Sequence, residues 1–152
     1  MTATKRKGVG ARFLDELQRR LAPLLESNGF KKSGRSYYRV YNDRRYDVIE
    51  MRVTIYGSFE HSRFTIEVYQ HDAHKDSRHT QHWKTFPTNE SNVFCRNIGD
   101  FIPDGHEQWW NVRETTDAAS ISNEVAKLLE GVVIPYFGSW GPGKRPLFTA
   151  AW

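Results

Sequence analysis

The sequence predicts an α+β fold, a mostly antiparallel sheet of four or more strands with two amphipathic helices packed on one face. Three patterns carry that expectation. Near the start, Phe13, Leu14, Leu17, Leu21, Leu24 and Leu25 recur at spacings of three and four, the period of a helix with one apolar face. The middle of the chain alternates apolar and polar side chains, the period of a half-buried strand. A second helical set follows at Ile121, Val125, Leu128, Leu129 and Val132. At 152 residues, with 38% apolar and 26% charged positions, the chain is expected to fold as one domain, residues 1–152. Its 5 Trp, 7 Tyr and 9 Phe exclude a disordered, collagen-like or simple coiled-coil chain.

The first helix is expected over about residues 10–28, after a basic arm at 1–10. Pro23 is placed to bend it, and Ser27-Asn28-Gly29 supplies the residue that tolerates a left-handed stop. From Phe30 the period becomes two. A tyrosine-rich strand at Ser36–Tyr41 precedes a turn at Asn42-Asp43 and a long strand over Arg45–Tyr56. Ile49, Met51, Val53 and Ile55 share one face of that strand, and Phe64, Ile66 and Val68 share one face of the next. A four-residue loop, Ser58-Phe59-Glu60-His61, would pair Ile55 with Phe64, Val53 with Ile66, Met51 with Val68 and Arg52 with Glu67.

Residues 70–91 have no period and read as a polar excursion; a fourth strand follows at about Asn92–Ile98. Trp109-Trp110 arrives before a helix that either Thr116 or Asp117 can cap. In an extended approach these two indoles point oppositely, so at least one faces the core. Pro135 is expected to end the second helix. Residues 138–152 read as a Gly- and Pro-rich turn region and an apolar tail, Leu147 to Trp152, which is expected to be covered.

The order of these features, Gly29-Phe30 after the first helix, the aromatic strand, the hairpin, Arg96-Asn97-Ile98-Gly99, Trp109-Trp110 and Ile134-Pro135-Tyr136-Phe137, resembles the bacterial family known as domain of unknown function 4304. The resemblance spans about Phe13 to Phe137 and implies an α+β architecture. It implies no reaction and no catalytic residues.

Charge and composition bound the function. Residues 1–45 hold 12 of the 22 Lys and Arg against 4 acids, so the basic surplus lies in the first third. No run approaches the roughly 18 apolar residues of a membrane helix, and no apolar leader follows the basic start, so no membrane partner is expected. A lone Cys95 in a strand reads as a buried, reduced thiol and points to the cytoplasm. Gly8-Val9-Gly10 and Gly141-Pro142-Gly143-Lys144 lack the setting of a phosphate loop, and no nucleophile elbow is present; no cofactor is expected.

The leading expectation is a non-enzymatic binding or regulatory module that meets a protein through an open sheet face bearing Arg52, Thr54, Tyr56, Arg63, Thr65, Glu67 and Tyr69. Glu50 lies on the same face, where it and Glu67 could act as acid and base under a cleft; ion pairs with Arg52 and Arg63 are the simpler account. A nucleic-acid partner is the alternative, met by Lys5, Arg6, Lys7, Lys31, Lys32 and Arg35, with solvated surface as the plain reading of the same residues. A metal-dependent hydrolase is the third, built on His71, Asp72, His74 and His79, although their spacing matches no zinc signature and a solvated polar loop is the plainer reading of them.

Overall fold

The computed structural model describes residues 7–41, 45–54, 58–72, 92–102, 105 and 107–139. Helix α1 spans Val9–Ser27, followed by strands β1 (Lys31–Ser33), β2 (Ser36–Tyr41), β3 (Arg45–Val53), β4 (His61–Asp72) and β5 (Asn92–Asn97). A short 3₁₀ turn (Ile98–Phe101), strand β6 (Trp110–Arg113) and helices α2 (Ala118–Leu128) and α3 (Ile134–Ser139) complete the order. The strands form one antiparallel sheet in the order β1-β2-β3-β4-β5, with β6 also paired to β4. Because β3 occupies one edge of β4, strands β5 and β6 lie end to end along the other, pairing with Glu67–His71 and His61–Phe64 respectively.

The first helix begins without a side-chain cap; the Val9 N–H instead donates to the Phe59 carbonyl at 2.8 Å, so the β3–β4 turn satisfies the helix start. Gly10 lets helix and sheet close up there, since a Cβ on it would lie 2.6 Å from Ser62 Oγ. The helix runs through Pro23 and stops in a Schellman motif: Phe30 N–H donates to Leu25 O and Gly29 N–H to Glu26 O, with Gly29 at φ 86°.

The core is the α1 stripe of Phe13, Leu14, Leu17, Leu21 and Leu25 laid on Ile49, Met51, Phe64, Ile66 and Val68, with Val125, Leu129 and Val133 of the second helical layer closing it. Phe64 sits between Phe13 (centroids 5.0 Å apart) and Trp110 (4.8 Å, stacked) and so joins helix, central strand and β6. Val53 packs on this cluster half-buried; Ile55 lies outside the described residues. Asp117 caps α2 by accepting from the Ala119 and Ser120 N–H groups.

Three expectations are corrected. The β3–β4 ladder pairs Val53 with Phe64, Met51 with Ile66, Ile49 with Val68 and Arg52 with Thr65, two residues away from the expected register. The turn itself keeps the expected pairing, because the Ser58 N–H donates to His61 O, whereas Thr54 N–H donates to Arg63 O. The register therefore changes between the Thr54–Arg63 and Ser58–His61 pairings, and residues 55–57 lie outside the described residues. A slip of two keeps every side chain on its face, so the apolar pattern cannot exclude it. Second, Pro135 does not end the helix: a wide turn of π geometry at Leu129–Val133 joins α2 to α3, and the helical path continues to Ser139. Opening the turn before a proline removes the demand for its missing N–H and makes room for its ring. Third, the approach to that helix is itself a strand, β6, with Trp110 and Val112 inward and Asn111 and Arg113 outward.

Candidate functional site

The face of the sheet turned away from the helices is built by alternation. Across it runs a row in register, Ser36 on β2, Glu50 on β3, Glu67 on β4 and Asn97 on β5. Beside this row lie Arg52 opposite Thr65 on one side and Tyr38, Val48 and Tyr69 on the other. Two carboxylates thus stand directly opposite one another, a placement that like charges disfavour.

Asn97 organises the row. Its side-chain oxygen accepts from the Gly99 and Gln108 N–H groups at 2.8 Å each, and its amide donates to Thr65 Oγ1 at 2.8 Å and Glu67 Oε1 at 3.4 Å. Asp100 accepts from the Asn97 N–H in return, closing a capping box on the 3₁₀ turn. Thr65 then donates its hydroxyl to the Gln108 carbonyl. The connection from β5 to β6 is in this way pinned across the sheet.

That pinning corrects the expectation of an open face. Thr65 is fully buried, Tyr69 is 3% exposed, and Val48, between Tyr38 and Tyr69 in the ladder, is fully buried as well. Arg52 and Arg63 remain exposed, Thr54 and Glu67 are half-buried, and Tyr56 lies outside the described residues. The accessible part of the face is therefore a rim. On it the Arg63 guanidinium lies 5.0 Å from the centre of the Trp109 ring, and Arg52 Nε reaches Glu50 Oε1 at 3.4 Å. Tyr69 OH donates to Glu50 at 3.5 Å.

Burial pushes the Glu67 carboxyl above its ordinary range; the Asn97 hydrogen bond and Arg52 pull it down, and Glu107 and Glu50 push it up. Glu67 therefore holds a proton more readily than a solvated glutamate would.

Of the basic residues named for nucleic acid, the described ones do not share this rim. Lys31, Lys32 and Arg35 are exposed on the β1–β2 hairpin at the sheet edge. Lys7 pairs with Asp15 at 2.7 Å, and Lys5 and Arg6 lie outside the described residues. Lys7 and Lys32 line a groove of about 350 Å³ between α1 and the hairpin, together with Asp15, Gln18, Arg19 and Glu26. Of the metal candidates, His71 and Asp72 are placed by backbone alone at the end of β4, and His74 and His79 lie outside the described residues. Among the described residues no group of three or more His, Cys, Asp or Glu is arranged to hold a metal ion. Cys95 stands on β5 opposite Tyr69. Arg96 stands opposite Val68, on the helix side.

Sequence reasoning missed one buried polar cluster. Asp47, 1% exposed, accepts from Arg39 Nη2 at 2.9 Å and Nε at 3.2 Å and from Gln70 Nε2 at 2.6 Å. Arg39 also donates to the Asn28 carbonyl and covers the Phe30 ring at 4.7 Å, so the cluster fastens the end of α1 to the sheet. Its signal was available: Asp47 has the same parity as Ile49, Met51 and Val53, and an acid at an inward position requires a partner.

Among the described residues no helix is long and apolar enough to cross a membrane. Neither the curated proteins nor the solved structures gave a match. The family model described as "Domain of unknown function (DUF4304)" matches residues 21–139, from the middle of α1 through the end of α3. The chain therefore belongs to the DUF4304 family.

Proposed function

We propose that the chain is a binding module that meets a protein partner through the exposed rim of the reverse face, with Arg52, Arg63 and Trp109 as its contact residues and Glu50 and Glu67 behind them. The observation that carries this reading is the Arg63–Trp109 stack, an arginine held over an indole at 5.0 Å on an exposed edge. Arginine and tryptophan are the residues most enriched where protein interfaces concentrate their binding energy, and a guanidinium already positioned loses less freedom on binding. Mixed sign favours a protein over a polynucleotide. Glu50, Glu67 and Glu107 share the surroundings of Arg52, and their negative charge opposes a phosphate backbone while giving register to a partner of complementary pattern. A bacterial cytoplasmic setting, in keeping with the lone thiol, belongs to the same proposal.

A photo-cross-linking residue placed at Arg63, compared in cells with the same residue at Glu130 on the helical side, tests it. The expected result is a discrete protein adduct at position 63, absent at 130 and lost when R52E is added. Equal adducts at both positions, none at either, or an adduct removed by nuclease would overturn it.

A further inference from the structure

The outer edge of the sheet carries a second surface, distinct from the rim. We propose that β1 and the groove beside it accept an extended, acidic segment of a partner protein as an additional strand. Strand β1 ends the sheet order, is paired on one side by β2, and all three of its residues are exposed. Gly34, at φ 60° and first in the two-residue turn between Ser33 and Ser36, gives a hairpin whose closing pair is Ser33 with Ser36. Hydrogen bonding alternates along an antiparallel ladder, so Lys31 and Ser33 turn their backbone groups inward to β2 and Lys32 turns its N–H and C=O outward. Those two groups are the docking points for a strand.

Side chains supply the selectivity. Lys32 shares the helix-side face with Tyr37 and lines the groove of about 350 Å³ against α1, whereas Lys31 projects on the opposite face beside Tyr38. A segment added to this edge would place alternate side chains against Lys32 and against Lys31. The hairpin from Lys31 to Ser36 holds three cations, with Arg35, and no acid. Within the groove Lys7 is matched by Asp15, and Arg19 by Glu16 on the same helix, which leaves Lys32 and Glu26 there without a described ion pair; the three cations of the hairpin against that one acid keep the edge net positive. Lysines on an edge strand repel a second copy of the same edge. The same charges select an acidic strand, so rejection of self and choice of partner come from one set of residues. A Cβ at Gly34 would meet nothing within 4 Å, so there is open space beside the turn.

The probe is a fluorescein-labelled hexapeptide of alternating glutamate and valine, read by fluorescence anisotropy on the full chain. Its companions are the lysine-for-glutamate peptide, two versions N-methylated at alternate backbone nitrogens in opposite phase, and a single-stranded oligothymidylate. The acidic peptide is expected to bind, and the lysine version not to. K31E/K32E, checked for folding by circular dichroism, should weaken binding by about tenfold or more. One N-methylation phase should weaken it by about fivefold, one backbone hydrogen bond, and the other should not. R52A/R63A should bind the peptide as wild type does. Equal affinity of both methylated phases, tighter binding of the oligonucleotide, loss with R52A/R63A, or no binding at about 1 mM peptide would each overturn the proposal. The rim reading stands or falls separately, on the adduct at position 63.

Discussion

Truncating Asp47 to alanine removes the acceptor of three hydrogen bonds from a position that is 1% exposed. Removing one partner of a buried ion pair costs about 3–5 kcal/mol, because the other charge is left without compensation. Here the stranded group is less confined than that range assumes. Arg39 keeps 22% of its side-chain surface in water, the Asn28 carbonyl at 3.1 Å and the Phe30 ring at 4.7 Å. The expected loss for D47A is therefore at the lower end, about 3 kcal/mol. Urea unfolding followed by tryptophan fluorescence reads it as a fall in midpoint at unchanged slope. R39M/D47L removes both charges and keeps apolar bulk, so its loss should be about half that of D47A or less. A loss under about 1 kcal/mol for D47A, or a double variant less stable than the single, would refute the reasoning.

Glu67 gives a pH signature. Its carboxyl is raised in the folded chain from an ordinary value of 4.5, burial being the largest cause, so the fold binds that proton more tightly than the unfolded chain does. The resulting contribution is fully present below 4.5 and is lost as pH rises through the raised value; urea unfolding should show E67Q favoured over wild type more at pH 7 than at pH 4, and a pH-independent difference would count against the burial. G10A drives a Cβ to 2.6 Å from Ser62 Oγ and 2.9 Å from its Cβ, and should cost about 1–3 kcal/mol by thermal unfolding. L17A empties a fully buried site between α1 and the sheet and should cost about 2–5 kcal/mol.

Much of the fold was legible because its signals are long. The α1 stripe extends over four turns and the β3 and β4 alternations over several pairs, so local noise does not erase them. Strands β1 and β6 have three and four residues, too few for a period, and neither stood out in the sequence. Pro135 shows a different limit. A proline reads as a stop in an α-helix, but the turn of π geometry before it is a property of the backbone that no single residue announces. For the site, alternation told which face Glu50, Arg52, Thr65 and Tyr69 share, since parity alone decides that. It could not tell which of them the chain itself covers. Asn97, which brings Gln108 over Thr65, does so through contacts 11 and 32 residues apart in sequence.

In the proposed division of labour within one sheet, the Ile66 face holds the fold and the Arg52–Arg63 rim is left for a partner. Unfolding free energy in urea tests it on the isolated chain. I66A, at a fully buried position, is expected to lose about 2–5 kcal/mol. R52A/R63A, removing one ion pair and one ring contact from exposed arginines, is expected to stay within about 1 kcal/mol of wild type. A loss of about 2 kcal/mol or more from R52A/R63A would show the rim to be part of the scaffold and contradict the account.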